Sequence, residues 1–253
     1  SLFEKSLINF MFSKLAKKND DLKEEINFLK LAHQNCYNSN ITFNSQSDFY
    51  YKNIISKNFD KIIFEGNYEK LADFNNQSHI FIIGLPRSGS TLVETIISHN
   101  ETNINSVGEF HGFNRSILEQ IGMAIYAKNF DYKNYKLMIN RKKFQEALLE
   151  KYNNFEKKIY LDKSLENFFN IEIILEFFPN AKFIHTYRKF NDAVIGIYQT
   201  MLPELSWTHK IKDIINYIGI YNKTIDYFRK KYPKKILDVQ LNKLSNQKNF
   251  SIY

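Results

Sequence analysis

Residues 78–98 restrict how this chain can fold more than any other stretch, because three local patterns follow one another there. An apolar, β-branched run from Ile80 to Ile83 predicts a buried strand that stops at Gly84. A glycine-containing turn follows. Apolar residues then resume at helical spacing, at Leu92, Val93, Ile96 and Ile97. Strand, glycine loop and helix in this order form a cradle for an anion, because loop N–H groups and a helix N-terminus carry partial positive charge.

The loop differs from the common nucleotide-binding loop, G-x-x-x-x-G-K-[ST], at the position of the lysine. Gly84 and Gly89 have the usual spacing, but Ser90 stands in place of the lysine, and Thr91 follows it. Because that lysine normally contacts the β- and γ-phosphates, transfer of a γ-phosphoryl group is not expected here. The cation is Arg87, inside the loop. Such a loop suits one terminal tetrahedral anion bound without a metal, and an ordinary turn between strand and helix is the alternative.

The nine residues from Gly84 to Leu92, GLPRSGSTL, resemble the 5′-phosphosulfate loop of sulfotransferases that use 3′-phosphoadenosine 5′-phosphosulfate (PAPS). Within that family the chain is most similar to the bacterial branch with tetratricopeptide repeats, which is similar to tyrosylprotein sulfotransferases. The resemblance covers about residues 78–200. It implies an α/β, three-layer P-loop-type domain with a mostly parallel central sheet. It also implies that the 5′-phosphosulfate is bound by Arg87, Ser88, Gly89, Ser90 and Thr91.

A second segment, residues 181–192, predicts a strand that ends at Arg188 and a helix that starts near Asn191. It resembles the family motif whose arginine binds the 3′-phosphate, a task that suits the planar guanidinium because it can form two parallel hydrogen bonds. The family pattern has a serine eight positions later, where this chain has Gly196. One donor to the 3′-phosphate is therefore missing. His185, inside the strand, is expected to be a packed residue.

Glu109 is the candidate catalytic base. It follows a short predicted strand at 104–107 and a glycine, at the edge where open α/β sheets bind their ligands. The family resemblance implies that a Gly-Glu pair at this place supplies the base, which takes the proton of the acceptor hydroxyl. His111 is the rival base, because some sulfotransferases use histidine. A purely structural alternative is that Glu109 caps the next helix.

Lys163 is the candidate for charge stabilisation. It follows the predicted strand 159–162 as the second residue of an Asp-Lys pair. The resemblance implies that this lysine neutralises charge on the bridging and sulfuryl oxygens, and that Arg87 assists it. Sulfuryl transfer, like phosphoryl transfer, gains mostly from positioning and from charge stabilisation. An ordinary surface lysine is the alternative.

The sequence predicts two regions. Residues 1–60 are expected to form a helical hairpin that resembles the last pair of a tetratricopeptide-type region, with a polar linker at 38–47. Residues 61–253 are expected to form the sulfotransferase-like domain, with two helices within 112–155, a long helix from Ile211 and a final strand from Ile236. A closing segment common in the family is missing, so the C-terminus is expected to be incomplete.

Composition and charge narrow the classes of binding partner. The 253 residues carry a formal net charge of +8, which favours anionic partners, and a nucleotide with two anionic groups is one of them. The basic residues are scattered along the sequence and do not predict nucleic-acid binding. The single cysteine, Cys36, excludes an internal disulfide, so a cytoplasmic protein is expected. No apolar run approaches the ~20 residues of a membrane span. The similarity to tyrosylprotein sulfotransferases suggests a homodimer.

The predicted function is transfer of a sulfuryl group from PAPS to an acceptor hydroxyl or amine, with a carboxylate base, the desulfated nucleotide PAP as product, and no metal. Two alternatives stay open. One is a P-loop kinase or NTPase, which Mg²⁺-dependent ATP turnover would support. The other is a non-catalytic helical-repeat binding protein with a degenerate nucleotide site. The sequence leaves the acceptor open between a peptide tyrosine, a carbohydrate, a lipid and a small phenol.

Overall fold

The computed structural model describes residues 1–67, 78–100, 103–121, 131–152 and 159–244. The chain divides into two compact units, and each unit draws on two stretches of sequence. The first, here called the helical unit, contains Ser1–Lys52 and Phe190–Ile220. The second, here called the sheet unit, contains Asn53–Lys189 and Tyr221–Tyr253. Among the described helices, none is both long enough and apolar enough to cross a membrane.

The helical unit begins with the predicted hairpin, which is confirmed. Its helices α1 (Leu2–Lys18) and α2 (Leu22–Ser39) start at side-chain caps: Ser1 and Glu4 form a capping box, and Asp21 accepts a hydrogen bond from the Glu24 N–H. A third helix, α3 (Ile41–Phe49), continues into a π-helical segment at Tyr50–Ile55. The sheet unit begins within that segment, at Asn53, and includes the short turn α4 (Ser56–Asn58). The helical unit also contains α9 (Phe190–Tyr198), a 3₁₀ turn (Ser206–His209) and the first part of α10 (Ile211–Lys231).

The polar linker predicted at 38–47 is wrong. The end of α2 and most of α3 occupy these residues, and only Asn40 lies between the two helices. The side chain of Asn44 is buried, and its Nδ2 donates to the Tyr37 carbonyl at 2.9 Å. This hydrogen bond gives the buried amide nitrogen of Asn44 a partner on α2, so polarity alone was a poor indicator of a loop here.

The sequence predicts α1 from an apolar stripe at helical spacing, and this stripe is exposed; its members are Leu7, Ile8, Met11, Phe12 and Leu15. Leu7 and Met11 show 41% and 71% of their surface, while Ser6, Ser13 and Ala16 on the opposite side are buried. Small side chains let two helices pack closely, and α1 uses them against the rest of the unit. The amphipathic pattern of the sequence therefore predicted the helix correctly but not the face that is buried.

Two histidines connect α2, α9 and the 3₁₀ turn. Nε2 of His33 lies 2.7 Å from the Tyr198 carbonyl oxygen, to which it can only donate, so Nδ1 of His33 accepts from Nδ1 of His209 at 3.1 Å. Burial lowers the pKa of both imidazoles, that of His209 to about 4. Both rings are therefore neutral near pH 7, which the shared hydrogen bond requires.

The sheet unit has two parallel sheets. The smaller one pairs β1 (Ile63–Glu65) with β4 (Met138–Asn140). The central sheet has five parallel strands in the order β3-β5-β2-β6-β7. These strands are β2 (Ser78–Gly84), β3 (Ile104–Gly108), β5 (Ile159–Asp162), β6 (Lys182–Tyr187) and β7 (Ile236–Gln240). The predicted mixed α/β fold with a mostly parallel sheet, flanked by helices and preceded by N-terminal helices, is confirmed.

Among the described residues, the sheet unit also contains a 3₁₀ turn (Leu165–Phe168) and five further α-helices. They are α5 (Ser90–Asn100), α6 (Gly112–Ile121), α7 (Arg141–Tyr152), α8 (Ile171–Phe177) and α11 (Leu241–Leu244). The two helices predicted within 112–155 correspond to α6 and α7, and residues 122–130 and 153–155 of that prediction lie outside the described residues. The predicted long helix and final strand are confirmed by α10 and β7.

The register of the sheet brings several strand ends to one edge. Gly84 at the end of β2 pairs with Thr186 of β6, and Gly108 at the end of β3 pairs with Asp162 of β5. Val93 and Ile97 of α5 pack on this sheet, in a buried cluster with Ile82, Ile104, Leu161 and Ile184. The helix that follows the loop is thereby anchored with its N-terminus at the same edge, where parallel α/β sheets bind ligands.

A hydrogen-bonded network that connects β6, β7 and α10 makes the sheet unit sensitive to acid. Nδ1 of His185 lies 2.6 Å from Oδ1 of Asp238, Nε2 of His185 bonds the Tyr221 hydroxyl, and Arg229 donates to both Asp238 oxygens at 3.0 and 2.8 Å. The hydrogen bond from His185, followed by that from Arg229, lowers the pKa of Asp238 to about 2. His185 is thus a packed residue, as the sequence analysis expected.

We expect this carboxylate to stabilise the fold above pH ~4, the ordinary value of an unfolded aspartate, and to lose that contribution as the pH falls towards 2. The variant Asp238→Asn should lose on the order of 1 kcal/mol at pH 7, because the group is 38% exposed and screened by solvent. Urea unfolding at pH 7 and pH 3 measures the effect. Asp226→Asn, which removes a more exposed partner of Arg229, is the matched control. An unchanged acid dependence in Asp238→Asn would contradict the assignment.

Candidate active site

The loop between β2 and α5 is shaped by two glycines. A Cβ on Gly84 would lie 2.4 Å from the Thr186 carbonyl oxygen, so only glycine allows the loop to leave the sheet this close to β6. Gly89 has a φ of +91°, which favours glycine, and lies against Leu241 at the start of α11. Arg87 has a φ of +65°, which is uncommon for a residue with a side chain. Backbone strain of this kind concentrates at functional sites.

Hydroxyl groups line the loop in two settings. Ser88 and Ser90 are buried, and Ser88 Oγ lies 2.7 Å from Thr186 Oγ1 on the neighbouring strand. Thr91 is exposed on the first turn of α5, which begins at Ser90. The loop therefore leads directly into a helix N-terminus, whose unpaired N–H groups attract anions. Thr186 was not predicted as a site residue; its place near the end of a strand, two residues before Arg188, was the available signal.

Arg188 joins the second motif to the loop. Its Nη1 donates to the Arg87 carbonyl oxygen at 3.1 Å. Its Nε is buried and has no hydrogen-bond partner within the part of the chain that the structure describes. Buried donors in proteins are nearly always satisfied, so an unsatisfied guanidinium N–H beside an anion loop points to a ligand acceptor. Gly196, where the family has a serine, lies on α9.

Glu109 and Lys163 are in direct contact. The Lys163 ammonium lies 2.6 Å from Oε1 of Glu109; the lysine side chain is 8% exposed and the glutamate side chain 57% exposed. The backbone N–H of Lys163 also donates to the backbone carbonyl of Gly108 at 2.8 Å. The two predicted catalytic residues, 54 positions apart in the sequence, are thus brought together with the carboxylate facing solvent.

The turns that carry this pair are connected by further hydrogen bonds. The Ser164 hydroxyl accepts from the His111 N–H at 2.7 Å, and Asp162 accepts from the Ser164 N–H at 2.7 Å. His111 has a φ of +55° and contributes its backbone to this network. Its conformation serves to turn the chain from β3 into α6. These contacts fix the relative placement of Glu109 and Lys163 from both sides.

Glu94 also contacts Lys163, and this residue was not predicted from the sequence. Its Oε2 lies 3.8 Å from the Lys163 ammonium, and its Oε1 accepts a hydrogen bond from Ser106 at 2.5 Å. Glu94 stands on α5 four residues after Ser90, hence on the same face of the helix as that loop hydroxyl. That spacing places Glu94 near the loop, but it gives no sign of the contact with Lys163. Glu94 lies one turn of α5 after the loop and contacts Lys163, so it connects the loop to the Lys163–Glu109 pair.

No three His, Cys, Asp or Glu side chains lie close enough to hold a metal ion, as far as the structure describes the chain. The cations near the loop are instead Arg87, Arg188 and Lys163. An edge with these three cations, buried hydroxyls and a helix N-terminus suits an anionic ligand, and the exposed carboxylate of Glu109 is placed to accept a proton from a second reactant.

Comparison with known proteins matches the part of the chain that contains this site. A model described as "Sulfotransferase family" matches residues 79–248, which include all of the site residues discussed above. An uncharacterized protein from Aquifex aeolicus (strain VF5) is 26% identical over 182 residues, covering 66% of this chain and 23% of that protein. The chain thus spans less than a quarter of the length of this relative.

Proposed function

Because the chain belongs to the sulfotransferase family, we propose that it transfers the sulfuryl group of PAPS to an acceptor hydroxyl or amine. The observation that carries the proposal is the 2.6 Å contact between Lys163 and Glu109. It supplies a cation and a base at the sheet edge that also bears the anion loop. A base and a cation at one place are what an in-line transfer between two oxygens requires.

The loop fits the 5′-phosphosulfate end of PAPS. Arg87, the buried hydroxyls of Ser88 and Ser90, and Thr91 at the start of α5 supply positive charge and donors, and Gly89 lets the backbone approach the ligand. Arg188 is proposed to bind the 3′-phosphate with its Nε and the rest of its guanidinium, since one nitrogen is tied to Arg87. PAPS would supply the activated sulfuryl group.

Each residue then has a defined role in the transfer. Glu109 accepts the proton of the acceptor hydroxyl as the acceptor oxygen bonds to sulfur. The sulfur–oxygen bond to the 5′-phosphate of the donor breaks, and PAP leaves. Lys163 remains protonated and stabilises the negative charge that develops on the transferring group, with Arg87 at the loop side. Because charge builds up in the transition state, fixed cations there accelerate the reaction.

The branch of the family and the class of acceptor are part of the same proposal. The hairpin of α1 and α2 supports a tetratricopeptide-type pair ahead of the transferase unit, in the branch similar to tyrosylprotein sulfotransferases. A peptide tyrosine would be one acceptor consistent with that branch. A carbohydrate, a lipid or a small phenol would serve the same chemistry. A homodimer and a cytoplasmic location belong to the proposal as well.

Calorimetric titration with PAP tests the donor site. We expect wild type to bind PAP, and Arg188→Ala to bind it about tenfold or more weakly, because a two-point phosphate contact is lost. Arg188→Lys should fall between the two, since it keeps the charge and loses the planar fork. The neighbouring exposed Lys189→Ala is the matched control.

The same titration separates the competing functions. Binding of ATP with Mg²⁺ but not of PAP would overturn the proposal in favour of a P-loop kinase or NTPase. Binding of neither nucleotide by a folded protein would favour the helical-repeat binding protein with a degenerate site. PAP binding followed by label transfer from PAPS to one member of an acceptor panel would establish the activity and the acceptor class together.

A further inference from the structure

Lys163 lies between two carboxylates that differ in their surroundings. Glu109 is the outer one, at 2.6 Å from the ammonium and 57% exposed. Glu94 is the inner one, at 3.8 Å from the same ammonium and 17% exposed. The lysine side chain itself is 8% exposed. One nearly buried cation therefore has an outer partner that solvent and a substrate can reach, and an inner partner that is shielded.

The inner carboxylate is tethered. Ser106 on β3 donates to one oxygen of Glu94 at 2.5 Å, and the other oxygen of Glu94 faces Lys163. Because Glu94 belongs to α5 and Ser106 to β3, this link ties the helix after the anion loop to the strand before Glu109. The outer carboxylate sits in the turn after β3, with the Lys163 ammonium as its hydrogen-bond partner. Glu94 is thus the better fixed of the two.

The proposed reaction needs such a second carboxylate. When Glu109 takes the acceptor proton, its carboxylate becomes a neutral acid and no longer balances the charge of Lys163. An ammonium that is 8% exposed would then have only the charge of the transferring group to balance it, and a nearly buried cation that loses its protein partner is unfavourable. A cation without a fixed partner would also be free to follow the base away from the sulfuryl oxygens.

We propose that Glu94 is a positioning residue that holds the Lys163 ammonium in place while Glu109 exchanges its proton with the acceptor. Lys163 keeps all its protons throughout; only the acceptor proton moves, to Glu109. Ser106 acts one step further out, by fixing the Glu94 carboxylate. This inference rests on the proposed sulfuryl transfer, but the charge arrangement behind it can be tested without any substrate.

The first test measures the amine of Lys163 directly. Competitive acetylation with acetic anhydride, read by mass spectrometry, gives the reactivity of Lys163 relative to the exposed Lys182. We expect the double variant Glu94→Gln/Glu109→Gln to be acetylated at Lys163 about tenfold faster than Glu109→Gln alone, the effect of one close charge pair. Equal rates in these two proteins would overturn the proposal, because Glu94 would then not hold the ammonium.

The second test uses turnover of PAPS by the folded enzyme. Glu94→Gln keeps an oxygen for the Ser106 hydrogen bond and loses only the charge. We expect kcat to fall roughly tenfold to a hundredfold, and KM for PAPS and PAP affinity to stay within about twofold, because the interaction matters during transfer rather than binding. Glu65→Gln, an exposed carboxylate on β1, is the charge-matched control. A kcat equal to that of wild type would overturn the inference.

The two failures are distinguishable. If wild type neither binds PAP nor releases it from PAPS, the proposed function fails, whatever the acetylation rates show. If wild type is active but Glu94→Gln loses PAP affinity and thermal stability together with kcat, Glu94 is only a structural link between α5 and β3, and the inference fails while the function stands. Ser106→Ala should reproduce a weaker form of the Glu94→Gln defect in kcat.

Discussion

Replacing Glu109 with glutamine is expected to lower sulfuryl transfer by roughly 10²–10⁴-fold, the usual contribution of a general base. The carboxamide fits the same space but accepts no proton from the acceptor. PAP affinity should stay within about twofold, because Glu109 faces solvent beside Lys163 and does not belong to the anion loop. Release of PAP from labelled PAPS, in the presence of phenolic, carbohydrate and peptide acceptors, gives the rate, and calorimetry gives the affinity.

His111→Gln is the control that separates the two candidate bases. His111 contributes its N–H to the Ser164 hydroxyl, and glutamine preserves that backbone contact. We expect this variant to keep most of the activity. If His111→Gln loses turnover and Glu109→Gln keeps it, the base has been assigned to the wrong residue, although both lie in the same turn.

The second large effect is expected from Gly84→Ala. The added Cβ would lie 2.4 Å from the Thr186 carbonyl oxygen and 3.2 Å from Ser88 Oγ, and the φ of +153° is one that side chains rarely adopt. The carbonyl belongs to the backbone of β6 and cannot rotate away. We expect the free energy of unfolding to fall by roughly 3 kcal/mol, the sum of overpacking and backbone strain. Urea unfolding without ligand measures it.

Gly84→Ala should also weaken PAP binding, because the clash displaces the loop from Thr186 and breaks the Ser88–Thr186 hydrogen bond. The matched control is Gly219→Ala, where a Cβ on α10 meets nothing within 4 Å. That change should be neutral or stabilise the protein by up to about 1 kcal/mol, since alanine favours a helix over glycine. A Gly84→Ala protein as stable as Gly219→Ala would contradict the packing at this loop.

Much of the candidate site could be predicted from the sequence because its pieces are local. The β-branched run before Gly84, the glycine spacing and the helical period after Ser90 each depend on a few neighbouring residues, and β2 and α5 confirm them. Placing Glu109 and Lys163 at strand ends likewise needed only short patterns. Their direct contact was not predicted, although parallel strands that end at a common edge bring such residues near one another.

Other features were beyond the sequence because they depend on partners far along the chain. Glu94 looks like an ordinary helix carboxylate until β3 and β5 bring Ser106 and Lys163 to it. Most of the helix at Ile41–Phe49 falls in the linker predicted at 38–47, because the segment is polar and rich in turn residues, while the buried Asn44 finds a partner through the fold. The exposed apolar stripe on α1 shows that a period predicts a helix but not which face is covered.

The sequence by itself therefore determined the strand–loop–helix unit, the hairpin and the chemical identity of the candidate groups, because backbone preferences and side-chain periodicity act over a few residues. The tertiary structure alone decided which carboxylates share Lys163, how Arg188 meets the loop and which helix faces are buried. Those outcomes depend on the register of parallel strands and on packing between distant segments, and no local pattern encodes either.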